Sequence, residues 1–146
     1  MMSQESFHIA DKLITIMVGL VTGFIGYWFT TFWMKPILQY RELRSSILSD
    51  FIFYAQVIDP ADLHERLLKL YERRIESNRK NSAELSACLL ELPKWYLWWL
   101  HRRGYKPEGV PSDLIGYSNT TKDDDARKRI NRIKKCLGLK TTEDDS

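Results

Sequence analysis

Between Lys12 and Lys35 the chain runs twenty-two residues, Leu13 to Met34 (LITIMVGLVTGFIGYWFTTFWM), without a single charge. At about 1.5 Å of rise per residue such a helix is roughly 33 Å long, enough for the ~30 Å hydrocarbon core of a bilayer. The expected architecture is all-α: one N-terminal transmembrane helix, then a small helical domain formed by the charged remainder.

A cleaved signal peptide has a shorter apolar stretch behind a basic head and ahead of a small-residue cleavage site. The leader MMSQESFHIADK is instead slightly acidic, and the far end of the run is bulky (Tyr27, Trp28, Phe29, Phe32, Trp33, Met34). The span is therefore expected to remain in the mature protein. Lys12 stands alone upstream, whereas Lys35, Arg41 and Arg44 follow the run closely. Basic residues stay on the cytoplasmic side, so the reading is a single pass through a bacterial inner membrane, N-terminus outside and C-terminus in the cytoplasm. The expected divisions are a tail at 1–12, the span at 13–34, a cytoplasmic helical domain at 35–139 and an acidic tail at 140–146.

At about 100° per residue, Thr15, Gly19, Thr22, Gly23, Gly26 and Thr30 fall on one arc of the span, with Phe24, Tyr27, Trp28 and Phe32 largely opposite. Small residues four apart let membrane helices approach closely, with Thr hydroxyls available to bond across. This stripe is the candidate helix-association face, and its expected partners are lipid and either a second copy of the chain or another membrane helix. Glycine is common in membrane helices, so the competing reading of any one pair is that it has no partner.

Beyond the span lie all but one of the 22 Lys and Arg and all but two of the 19 Asp and Glu, a mildly basic excess too small to argue for nucleic acid. Tyr40, Leu43, Ile47, Phe51, Tyr54 and Ile58 recur three or four apart and predict an amphipathic helix over 36–58. Pro36 either kinks the exit from the membrane or sits in the first turn of that helix. Asp59 and Pro60 read as the start of a long helix to Leu92, paired antiparallel with 36–58 over its first half. Its polar middle, Glu76 to Asn81, is either a solvent-exposed turn of helix or a break.

The segment Lys94-Trp95-Tyr96-Leu97-Trp98-Trp99-Leu100-His101-Arg102-Arg103 holds three of the five Trp residues. Aromatic and basic mixtures suit the headgroup layer, which makes Trp95, Tyr96, Trp98, Trp99, Arg102 and Arg103 candidate membrane-interface contacts. The alternative is a short core helix capped by Gly104. A second span over 85–100 is disfavoured by its sixteen residues and by Glu91, Pro93 and Lys94, each mid-membrane charge costing roughly 2.5–3.5 kcal/mol. After a connector at 105–111, Ser112-Asp113 is expected to cap a short helix to Asn119. A last helix is expected from Asp123, ended by Gly138, with Ile130, Ile133 and Leu137 on one stripe.

No catalytic, metal-ligating or cofactor-binding residues are expected. Cys88 and Cys136 read as reduced thiols, His8, His64 and His101 match no ligand spacing, and there is no phosphate loop or nucleophile elbow. Asp123 to Asp125 read as a helix start, and the six bases of the last helix as a solvated face, so direct nucleic-acid binding is not expected.

The N-terminal span followed by Lys35-Pro36, Gln39-Tyr40-Arg41-Glu42-Leu43-Arg44, Ser49-Asp50-Phe51, Phe53-Tyr54-Ala55, Ala83-Glu84-Leu85, Leu114 to Asn119 and Arg132 to Leu139 resembles a group of small bacterial one-span membrane proteins. The Trp-rich stretch at 95–99 departs from that pattern. In architecture the chain is also similar to membrane effectors of bacterial anti-phage systems, retrons among them, in which a reverse transcriptase and its DNA restrain a toxic membrane partner. That likeness implies an effector that perturbs the inner membrane when a cytoplasmic regulatory protein or nucleoprotein releases it. The alternative is a passive anchor or scaffold for a cytoplasmic partner, and neither reading makes the chain an enzyme.

Overall fold

The structure, a computed structural model, describes residues 4–58 and 65–139, with side chains at 11–58, 65 and 67–139. The described residues are all-helical: α1 (Gln4–Phe29), a π-helical turn (Thr30–Met34), α2 (Lys35–Phe53), α3 (Glu65–Glu91), α4 (Lys94–Arg102), a 3-10 turn (Pro107–Gly109), α5 (Val110–Ser118) and α6 (Asp123–Leu137). They form two compact units that divide between Lys35 and Pro36.

In the first unit α1 starts at Gln4, so residues 4–12, expected as a tail, are already helical. The helical stretch Asp11–Phe53 reaches a mean hydropathy of 1.8 in its most apolar window, none of which is buried. It is the one helix among the described residues long and apolar enough to cross a membrane. Leu20 and Phe24 are 65% and 71% exposed, large apolar surfaces. The π turn has a local cause. Pro36 has no N–H for the ladder and its ring crowds the carbonyl four residues back, and the wider turn, closed by Lys35 N–H to Thr30 O, relieves this.

In the second unit α2 presents Tyr40, Leu43, Ile47 and Phe51 to the core, the stripe its periodicity predicts. It ends at Phe53, five residues short of expectation, because its ladder tightens: Ala55 N–H bonds Ile52 O and Val57 N–H bonds Tyr54 O. Val57 and Ile58 are buried all the same, as loop residues. The expected cap at Asp59-Pro60 and the acidic tail lie outside the described residues.

α2 and α3 do run antiparallel, but contact falls on the second half of α3. The Asp50 carboxylate accepts hydrogen bonds from Ser77 Oγ and from Asn81 Nδ2 (2.7 Å), and Cys88 Sγ donates to Pro36 O at 3.7 Å. The segment at 76–81 is unbroken helix, and Asn78, Asn81 and Ser82 face inward. This polar seam stands where a solvent-exposed turn of helix or a break was expected: Asn81 Nδ2 bonds Asp50, Ser82 Oγ bonds Pro111 O and Asn78 Nδ2 bonds Arg74 O, which offsets most of the cost of burying them.

α4 is separated from α3 by Leu92 and Pro93, which rules out one continuous helix over 85–100. α5 begins at Val110, before the expected Ser112 cap, because the 3-10 turn leads straight into it with Pro111 in the first turn, where no N–H is needed. It packs on α3 through Ser82 Oγ to Pro111 O (2.8 Å) and on α2 through Phe51 and Tyr117, edge to face at 5.4 Å. α6 runs from Asp123 to Leu137 as expected, buries Ile133 and Leu137, and stops at Gly138 in a left-handed conformation, φ 66°.

Candidate functional site

On α1, Gly19, Gly23 and Gly26 face open space: among the described residues outside the helix's own backbone, nothing lies within 4 Å of where a Cβ would stand. A shallow groove beside Gly19 and Gly23 is walled by Leu20, Phe24 and Tyr27. Two of the threonines behave otherwise than expected. Thr15 Oγ1 donates to Asp11 O at 2.9 Å and Thr30 Oγ1 to Gly26 O at 2.8 Å, so both protons are used within their own helix. This i−4 back-bonding is the ordinary resting state of a helical Thr, and it leaves close approach to the glycines. At the far end Trp28, Phe29, Phe32 and Trp33 form a collar, with ring centroids 5.2–6.1 Å apart. Aromatic rings of this kind concentrate where a membrane meets water.

α4 is mostly outside the core. Leu100 is its one fully buried residue, and Tyr96 and Leu97 rest against the core, Tyr96 edge-on to Tyr40 at 6.2 Å. Trp95 and Trp98 are 49% and 62% exposed. The reading of this segment as a core helix therefore holds for one edge only, with Gly104 at φ 83° ending it as expected. The Arg102 guanidinium lies 5.7 Å from the Trp98 ring and that of Arg103 lies 4.1 Å from the Trp99 ring, while Tyr96 and Trp99 stack at 5.5 Å. The six candidate interface residues thus fall into two groups of rings and cations on one short helix, Trp98 with Arg102, and Trp95, Tyr96 and Trp99 with Arg103.

A third feature escaped the sequence. Arg74 is fully buried between the rings of Tyr71 (4.9 Å) and Tyr117 (5.0 Å), and its Nη2 donates to Thr120 O at 3.1 Å. Its Nε and Nη1, the Tyr117 hydroxyl and Asn78 Oδ1 have no hydrogen-bond partner among the described residues. A guanidinium with no ion pair among the described residues is costly to bury, so Arg74→Met, which keeps the stem and drops the charge, is expected to leave stability within about 1 kcal/mol of the parent or raise it. Arg74→Ala also opens a cavity and is expected to lose roughly 2–4 kcal/mol, as read by urea unfolding.

Burial pushes the Tyr40 and Tyr117 hydroxyls up, opposed at Tyr117 by the Arg74 charge. Burial likewise raises the Cys88 thiol, helped by Glu91, and the Cys136 thiol, helped by Asp113. The folded state therefore keeps protons that the unfolded chain gives up. This contribution is fully present below the ordinary thiol and phenol ranges and is lost as pH rises above about 9. Thermal melts between pH 7 and 10.5 are expected to show a falling midpoint on the alkaline side.

On α6 three of the six bases are paired: Arg127 Nε with Asp123 at 2.7 Å, Arg129 and Arg132 with Asp113 at 3.8 and 3.3 Å. Cys88 and Cys136 are free thiols, and no group of three or more His, Cys, Asp or Glu among the described residues could hold a metal ion. No protein-family model, curated protein or solved structure matches this chain. The resemblance drawn above therefore rests on the quoted residues alone.

Proposed function

We propose that this chain is a single-pass effector of the bacterial inner membrane, acting in antiviral defence. In this reading residues 13–34 cross the bilayer, associate through the glycine face and perturb the membrane once a cytoplasmic partner releases the second unit. The observation that carries it is the apolar run of α1: it is uncharged, unburied in its most apolar window, and lined with glycines that face open space among the described residues. Such a face gives two helices close van der Waals contact in lipid, where no hydrophobic force drives them together. The expected result of induced expression, alone or during phage infection, is loss of membrane potential and arrest of growth. Growth at the normal rate with full membrane potential in both conditions would contradict it.

A specific observation also favours the scaffold reading. Ile52 and Phe53, 71% and 67% exposed, end α2 on the side away from Pro36, and Leu67 and Leu68 stand exposed early in α3. That end of the unit suits a protein partner. A scaffold predicts a stoichiometric partner on pull-down and no growth defect.

A further inference from the structure

We infer that α4 is a second membrane contact, in which Trp95, Trp98 and Trp99 enter the headgroup layer and Arg102 and Arg103 bind the phosphates of anionic phospholipid. The inference rests on the proposal that residues 13–34 cross the bilayer, and it adds the lipid class and the residues that read it.

Two observations carry it. First, the exposed surface of α4 is chemically that of an interfacial helix. Trp98 stands 62% exposed, and the helix itself, Lys94–Arg102, contains no acid. Glu108, across the following loop, is paired: its Oε1 lies 2.6 Å from His101 Nε2. Second, the cations are held beside the rings. With Arg102 over Trp98 and Arg103 over Trp99, each indole and its guanidinium occupy one site, the ring suited to the acyl boundary and the cation to a phosphate.

The surface of Trp and Arg on α4 is matched to anionic lipid in charge and in polarity.

The test uses the full chain with Trp28 and Trp33 replaced by Phe, so that Trp95, Trp98 and Trp99 are the remaining fluorophores. It is reconstituted into phosphatidylglycerol vesicles containing lipid brominated either near the headgroup or near the bilayer centre. The expected result is loss of about half or more of the emission with shallow bromines and little loss with deep ones. In phosphatidylcholine, and after Arg102→Glu with Arg103→Glu, quenching is expected to fall at least about twofold. Emission unchanged by shallow bromines in phosphatidylglycerol would overturn the inference, as would capture of α4 by a protein partner that leaves it equally unquenched. The chain with Trp95, Trp98 and Trp99 replaced by Phe gives the same quantity by subtraction from the unaltered protein, should the span variant not insert. Carbonate washing of the same vesicles separates the two claims. A chain that stays in the pellet with α4 unquenched retains the span and loses this inference, and a chain that washes off loses both.

Discussion

Replacing Gly138 by Ala is expected to destabilise the second unit by roughly 2–5 kcal/mol, the largest effect of any single methyl added to this fold. Gly138 closes α6 at φ 66°, and its N–H bonds back to the last turn. Left-handed backbone costs an L residue about 1–2 kcal/mol. The added methyl would also stand 2.5–2.7 Å from three carbons of the Tyr105 ring. That ring has little freedom to retreat, because Tyr105 N–H bonds Leu100 O at 3.1 Å and Lys106 N–H bonds Cys136 O at 3.1 Å. Gly116 makes the useful contrast. A methyl there would meet the Arg129 guanidinium at 2.2 Å, but this is the free end of a long side chain, held by a 3.8 Å ion pair to Asp113. Arg129 can move aside, and a helical Gly gains about 0.8–1 kcal/mol on becoming Ala. Urea unfolding of the two variants in detergent is expected to show a large loss for Gly138→Ala and at most a small change for Gly116→Ala. The reverse order would contradict the packing described for α6.

The second large effect concerns the span. Gly19→Leu with Gly23→Leu is expected to lower self-association about tenfold or more, equivalent to 1.4 kcal/mol or above, in a membrane two-hybrid assay. Among the described residues outside the helix's own backbone, nothing lies within 4 Å of a Cβ at either position, so the change alters the approach of a partner helix and leaves the fold alone. Thr15→Val with Thr30→Val is expected to do little, since both hydroxyl protons already bond within the helix. Loss of association from the threonine pair and retention in the glycine pair would invert the account of this face. On the effector reading, the glycine variant also grows normally under induced expression.

What the sequence made legible here was set by periodicity and by punctuation. The all-α class, the long apolar N-terminal helix, the buried stripe Tyr40-Leu43-Ile47-Phe51 and the stop at Gly138 follow from apolar spacing and from a glycine placed where a helix ends. What was hidden has a shared cause, because apolar spacing carries no information about buried polar side chains. Asn78 and Asn81 lie in the stretch read as a solvent-exposed turn or a break, and with Arg74 and Ser82 they are instead the seam that α3 turns toward the rest of its unit. That seam moves the α2 contact to the second half of α3. A signal was present in the composition, since Asn78, Asn81 and Ser82 carry short uncharged side chains that can be satisfied inside. The start of α5 was missed because Pro111 was read as a connector residue when it is a first-turn residue. For α4, aromatics all round the helix gave no face, and only the structure separates Leu100, buried, from Trp98, exposed.

The central claim is that residues 13–34 cross the bilayer with the second unit inside the cell. Labelling with a membrane-impermeant maleimide tests it directly, using Ser3→Cys and Ser146→Cys chains in intact spheroplasts and again after permeabilisation. The account predicts that the cysteine at position 3 reacts at once and that the one at position 146 reacts only after permeabilisation. Labelling of position 146 from outside, or of neither position until the membrane is opened, would contradict it.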